Sequence, residues 1–444
     1  MNQYDQMYAK KSMTAEEAFN LLQDGDVMFS AQAAAEPVAI LDKLQYLKQT
    51  KLKDLQINTC LPIQDFPFFH DQELAKILEH TGWFFNKGCR ISQKERITSA
   101  IPQSSTTVLN KKLDRLRYEK RRPVVLATAS PMDHHGFMTL SVSAIYERDL
   151  IDEGAMVLLE VNPNFPRTFG ETQVHISEVA AVVESNRPIP YIQLAPYTEM
   201  DATIGRYIAE LIEDGSTIQL GVGNIPNAVA HELRHKKHLG IHTEMFTETM
   251  VDLIECGAVD NSQKGLLNGY SVASFTIGSQ KLYDYINSNT SILFKSSKFT
   301  NDPYTIGLNN KFVSINASLE IDLTGQCASE TVGNLQWSGT GGQSETVQGS
   351  QRSKGGKSII AMHSTYSTKD ANGKEVLHSK IVPFLAPGAA VTTSRNDLDY
   401  VATEYGVAWM RGLNVKRRVE ELIKIAHPQF REWLRAEAEK HMIW

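Results

Sequence analysis

Short apolar runs bounded by turn residues alternate, along most of this chain, with segments whose apolar positions recur every three or four residues. That alternation predicts strands and helices in turn. The runs DVMFSA (26–31), LQINTC (55–60), PVVLATAS (123–130) and AMVLLEVN (155–162) predict buried strands. Thr14 and Glu17 form a capping-box pattern ahead of Ala18, Leu21 and Leu22, opening a short helix that Asp24 and Gly25 end. Segments 41–47 and 71–80 also read as helical. A second cycle begins near Thr198, which with Asp201 caps a helix carrying Ile204, Ile208, Leu211 and Ile212. Asp214 and Gly215 stop it, and STIQLGVG (216–223) predicts the next strand. Further on, KSIIAM (357–362), IVPFL (381–385) and AAVTTS (389–394) read as strands. Segment 415–425 reads as a helix through Val415, Val419, Leu422 and Ile423, and 430–442 as a charged terminal helix. Strands and helices of these lengths, in alternation, predict an α/β fold with mainly parallel sheets. No repeat with a period of 20–50 residues is evident.

At 444 residues the chain exceeds one ordinary core, so two domains are expected. The segment SNRPIPYIQLAP (185–196), with three prolines and few helix formers, reads as the linker, giving domains at 1–190 and 191–444. Hydrophobic residues at 42 % and charged residues at 22 % make a globular composition, and the net charge of −6 gives no reason to expect nucleic acid. No run approaches the ~18 apolar residues of a membrane span. The four cysteines, Cys60, Cys89, Cys256 and Cys327, form no CxxC pair and no zinc-ligand spacing. With no apolar signal-peptide core near residue 1, reduced thiols and a cytoplasmic location are expected.

The chemistry-bearing residues fall in three places. Gly221, Val222, Gly223, Asn224, Ile225 and Pro226 read as a strand running into a glycine turn and then a helix. Proline suits a helix's first turn, where its missing N–H costs nothing, and the backbone N–H groups of residues 222–225 are left to face an anion or an oxyanion. The alternative is a purely structural strand–helix turn. It is not a dinucleotide fingerprint, because Pro226 stands where the third glycine is needed, and it lacks the P-loop lysine. Nineteen residues on, GIHTEMF (240–246) places Glu244 in an otherwise apolar run. A carboxylate so placed is a candidate nucleophile, with a solvated loop carboxylate as the alternative. A second glycine stretch, SGTGGQ (338–343), carries Gly341 and Gly342 and suggests close approach of backbone to a ligand, or else a flexible surface loop. Together these features suggest acyl chemistry on a phosphate-bearing carrier.

Two other patterns are set aside. Asp133, His134, His135 and Gly136 do not read as a metal site, since adjacent histidines share no face and no third ligand is near. The basic run KKLDRLRYEKRR (111–122) reads as a solvated face, with a carrier-phosphate contact as the minor alternative.

The motifs GVGNIPNAVA, GIHTEMF, SGTGGQ, SKGGKSII, VTTSRNDLDYVATEYGVAWMRG and IAHPQFREWL, with SPMDHHGFMTLSVS and EVNPNFPRTFGE before them, resemble the acetyl-CoA hydrolase/transferase family. Within it they resemble the 4-hydroxybutyrate and butyryl-CoA:acetate CoA-transferase group. The resemblance runs from about Thr14 to Leu434. It implies two related open α/β domains of the CoA-transferase, ribose-phosphate-isomerase-like type. It also implies a ping-pong transfer of CoA from an acyl-CoA to a small carboxylic acid through a glutamyl-CoA thioester. It assigns the nucleophile to Glu244 and CoA contacts to Gly221, Val222, Gly223, Asn224, Ile225, Gly341 and Gly342. It implies no cofactor and no metal, CoA and acyl-CoA being substrates, and a homodimer or higher oligomer. One departure stands out: the GGQ loop continues into Ser344, Glu345 and Thr346 where an Asp–Phe type pair is expected, which bears on acyl-chain specificity. An acyl-CoA hydrolase using the same glutamate and a non-catalytic CoA-binding regulator are the alternatives.

Overall fold

The computed structural model describes residues 2–192, 196–221 and 223–443. The chain packs into two compact units. The first holds residues 1–193, 244–248 and 270–300, and the second holds 194–243, 249–269 and 301–444. The expected division after residue 190 is linear, whereas these units interleave: segments 244–248 and 270–300 pack with the N-terminal part of the chain. Residues 193–195 of the expected linker lie outside the described residues.

The first unit is built on a seven-stranded parallel sheet. Its order is Ala181–Glu184, Met156–Val161, Pro123–Ala129, Val27–Ser30, Leu55–Cys60, Leu78–Phe84 and Thr98–Ala100. A parallel sheet is covered on both faces, which is why its strands read as nearly continuous apolar runs. Met28, Ile57, Val124, Leu126 and Leu158 pack with Phe19, Ile40, Leu41, Leu44 and Phe69 in one core. The strands step outward from Val27–Ser30 and then resume on its other side with Pro123–Ala129. A crevice opens at the carboxyl ends of strands where the order reverses in this way. Beside the sheet, Ser271–Ala273, Ile292–Phe294 and Phe169–Gly170 form three short parallel strands, and Met245–Phe246 pairs in parallel with Phe275–Thr276.

The second unit holds a six-stranded sheet in the order Gly240–Ile241, Thr217–Leu220, Phe312–Ala317, Lys357–Ala361, Tyr400–Thr403 and Gly406–Trp409. All its pairings are parallel except the last, a hairpin. The helices Glu199–Leu211 and Asn224–Glu232 pack closely. A Cβ on Gly205 would lie 2.9 Å from the backbone carbon of Ala228, so only glycine permits that approach. Helix Val415–Ile425 begins and ends where the periodicity predicts, with Asn414 accepting from the Arg417 N–H as its cap. Both capping boxes, Thr14 with Glu17 and Thr198 with Asp201, are formed.

Three expected elements differ. Segment 71–80 holds a single 3-10 turn at Leu74–Lys76 and then a strand, Leu78–Phe84. Pairing on both sides outweighs local helical periodicity there, and His80 is locked between the hydroxyls of Thr59 at 2.8 Å and Thr98 at 2.7 Å. Burial pushes the pKa of that imidazole down to about 3, so it is a neutral structural group. Segment 389–394 makes one isolated bridge, Cys327 with Thr393, and Val391 is exposed, so its apolar residues bury no common face. Segment 41–47 is a helical turn, Val38–Leu41, followed by the 3-10 helix Leu44–Gln49. Among the described residues no helix is long and apolar enough to cross a membrane.

Candidate active site

Glu244 packs in the first unit, at a bend just before the strand Met245–Phe246. The apolar residues that drew attention to it are buried, whereas Glu244 itself is half-buried. Its backbone carbonyl accepts two hydrogen bonds, from the N–H of Ser274 at 2.9 Å and of Phe275 at 3.0 Å. The 274–276 segment is in turn tied to residues 142–144. The Ala144 N–H donates to the Ser274 carbonyl at 2.8 Å, and the Thr276 N–H donates to the Val142 carbonyl at 2.9 Å. The Thr276 hydroxyl donates to the Phe246 carbonyl at 2.7 Å. A carboxylate on backbone held this firmly keeps its position, which a nucleophile needs more than it needs mobility.

Cys60 ends a central strand of the sheet. Burial, and then the charges of Glu244 and Glu147, push its thiol well above the usual range. The thiol is therefore protonated at neutral pH and adds no thiolate charge near Glu244. Glu147 is fully buried and accepts from the Ser143 hydroxyl at 2.6 Å and the Tyr146 N–H at 3.0 Å. Tyr146 donates its hydroxyl to the Ser30 carbonyl, at the carboxyl end of Val27–Ser30. Its ring lies 5.0 Å from Trp83, which meets Phe29 edge-on at 6.0 Å. At the same edge of the sheet Glu36 is buried, accepts from the N–H groups of Ile63 and Gln64 at 3.0 Å each, and has its pKa pushed up to about 8 by burial. Sequence patterning had not singled out Cys60, Glu147 or Glu36 for the site. For Cys60 the available signal is its place at the carboxyl end of an apolar strand, where parallel sheets place their ligands.

The glycine turn lies in the second unit. Strand Thr217–Leu220 runs through Gly221 to Gly223, which begins helix Asn224–Glu232. Val222 lies outside the described residues. Gly223 has φ 133° and ψ −178°, a region open essentially to glycine alone. Pro226 is the third residue of the helix, within its first turn as expected. Gly341, at φ 55°, and Gly342 lead into helix Gln343–Arg352. That helix runs on into the parallel strand Lys357–Ala361, so both helix N-termini stand at the carboxyl edge of one sheet. Thr346 links helix and sheet, bonding Ser314 at 2.9 Å and Asn316 at 3.1 Å. The structure thus brings the two glycine elements to a common edge in the second unit, and assigns Glu244 to the first.

Gly223 supports a prediction. A side chain there finds open space, the nearest atom being Pro226 Cδ at 4.0 Å, so the cost is conformational. Gly223→Val is expected to lose about 1–3 kcal/mol of stability through strain. It is also expected to raise KM for the CoA ester by more than that strain explains. Denaturation midpoints read beside steady-state kinetics check this, and unchanged kinetics in the folded variant would leave the turn as a connection only.

Residues 111–119 of the basic run lie in helix Val108–Glu119, and several charges of the run are paired. Arg115 pairs with Glu119, Arg117 with Asp114 and Glu153, and Arg122 with buried Asp26. Asp133 caps its own turn, accepting from the N–H groups of His135 and Phe137, and pairs with Arg167 at 2.6 Å. Among the described residues no group of three His, Cys, Asp or Glu is disposed to hold a metal.

The sequence matches the acetyl-CoA hydrolase/transferase N-terminal domain over residues 1–193 and the C-terminal domain of the same family over 278–438. It is 40 % identical to a succinyl-CoA:cyclohexane-1-carboxylate CoA transferase of Geobacter metallireducens, over 96 % of this chain and 95 % of that one. It is 37 % identical to the 4-hydroxybutyrate coenzyme A transferase of Clostridium kluyveri, over 99 % of both chains. The crystal structure of RipA from Yersinia pestis superimposes with a TM-score of 0.88 at 32 % identity, covering 100 % of both chains.

Proposed function

The chain belongs to the acetyl-CoA hydrolase/transferase family, and from that premise we propose that it moves CoA from an acyl-CoA to a small carboxylic acid by a ping-pong route through Glu244. It is a CoA-transferase enzyme, as its curated relatives are. The observation that supports the route is the setting of Glu244: a half-buried carboxylate whose backbone carbonyl accepts two hydrogen bonds, set in a buried apolar run.

The Glu244 carboxylate attacks the acyl-CoA carbonyl, and the C–S bond breaks to give a mixed anhydride and CoA thiolate. The thiolate attacks the glutamyl carbonyl, releasing the acid and leaving a glutamyl-CoA thioester. A second acid reverses these steps and leaves as the new acyl-CoA. Each tetrahedral intermediate carries an oxyanion, and one well-placed donor to it is worth about 3 kcal/mol. Backbone groups of Gly221, Val222, Gly223, Asn224, Ile225, Gly341 and Gly342 are assigned to CoA. No cofactor or metal enters this route. The acceptor is drawn from short acids such as acetate, butyrate, 4-hydroxybutyrate, succinate or itaconate.

Anhydride and thioester must be shielded from water for transfer to outrun hydrolysis. Free thiol is therefore expected to appear slowly from acyl-CoA alone, while an acceptor acid yields a new acyl-CoA. Double-reciprocal plots with both substrates varied should be parallel. Equal thiol release with and without acceptor, and no new acyl-CoA from any acid tried, would make the enzyme a hydrolase.

A further inference from the structure

Ser274 is fully buried, and its hydroxyl has no hydrogen-bond partner among the described residues. Its backbone is fully used: the N–H donates to the Glu244 carbonyl at 2.9 Å and the carbonyl accepts from Ala144 at 2.8 Å. The neighbouring hydroxyls behave otherwise. Ser143 donates to Glu147 at 2.6 Å and Thr276 to Phe246 at 2.7 Å. An unpaired buried hydroxyl gives up its hydration and gains no bond in return, whereas alanine would fill this position without that cost. A serine whose backbone clamps the backbone of the candidate nucleophile, and whose side chain bonds nothing among the described residues, is free to serve an acceptor on a bound substrate.

We propose that the Ser274 hydroxyl donates a hydrogen bond to the carbonyl oxygen of the acyl group attacked at Glu244, as that oxygen becomes an oxyanion. The assignment rests on Glu244 as nucleophile. The substrate class is a carbonyl compound, the thioester and then the anhydride. No proton is transferred: the Oγ–H bond stays intact while its dipole meets developing charge. A donor whose partner gains charge only in the transition state acts on kcat rather than on KM.

The test uses the full-length enzyme and Ser274→Ala. Thermal midpoint, steady-state kinetics and the rate of covalent CoA loading followed by intact mass are read together. The expected result is an unchanged or higher Tm, a kcat lower by about 10- to 100-fold, KM for acyl-CoA within about twofold, and full but slower loading. Wild-type loading with an unchanged Ser274→Ala rate overturns the Ser274 assignment alone. A markedly lower Tm beside the kcat loss also overturns it, because the hydroxyl would then serve the fold. Absence of any covalent CoA in the wild type overturns the Glu244 reading, and this assignment with it.

Discussion

Glu244→Ala is expected to lower CoA transfer by about four orders of magnitude or more, the scale of removing a covalent nucleophile. The loss should fall on kcat, with acyl-CoA still bound, because the carboxylate enters the bond-making step. Incubating the wild type with acyl-CoA alone and then reducing with borohydride should label the peptide that contains Glu244, and the variant should give no label. Glu244 also adds negative charge near Cys60. The same charge helps keep the Cys60 thiol up, so its pKa should fall in the variant and its alkylation at fixed pH should quicken. Full activity in Glu244→Ala would remove the proposed route.

The second large effect is on stability. Gly170 has φ 112°, and a Cβ there would lie 2.1 Å from the carbonyl oxygen and 2.7 Å from the nitrogen of Phe294. Both are backbone atoms of the strand that Phe169–Gly170 pairs with, so no rotamer change relieves the overlap. Gly170→Ala is expected to cost about 3–5 kcal/mol, the upper range for a single substitution. Gly154 is the control: at φ 83° with nothing within 4 Å, its alanine variant meets only the left-handed backbone cost of about 1–2 kcal/mol. The strand displaced in Gly170→Ala also pairs with Ser271–Ala273, which leads into Ser274, so activity should fall along with stability. Urea denaturation of the two variants decides it, and equal midpoints would show that the sheet absorbs the clash.

Legibility followed the range of the interaction concerned. Where caps and periodicity act within a few residues, expectation and structure agree: Thr14 with Glu17, Thr198 with Asp201, and helix Val415–Ile425. Buried parallel strands such as Leu55–Cys60 and Met156–Val161 were legible because both faces are covered and the run is apolar throughout. Segment 71–80 departs from its helical pattern because its strand is decided by partners on both sides, and 389–394 forms no strand because apolar residues in sequence need not share a buried face.

For the candidate site, the sequence by itself determined the residue types: one acid, Glu244, in the run 240–246, glycines at 221, 223, 341 and 342, and an α/β alternation to carry them. Only the tertiary structure decided their company. Ser274 reaches the Glu244 backbone from 30 residues away, and Cys60 and Glu147 act near it from about 180 and 100 residues away. The interleaving of 244–248 and 270–300 into the first unit belongs to the same class of fact. The physical reason is one of range. A cap or a helical period is satisfied within one or two turns of chain, so it is written locally. A hydrogen bond between distant segments exists only where the folded chain returns, and that return is set by the packing of whole sheets.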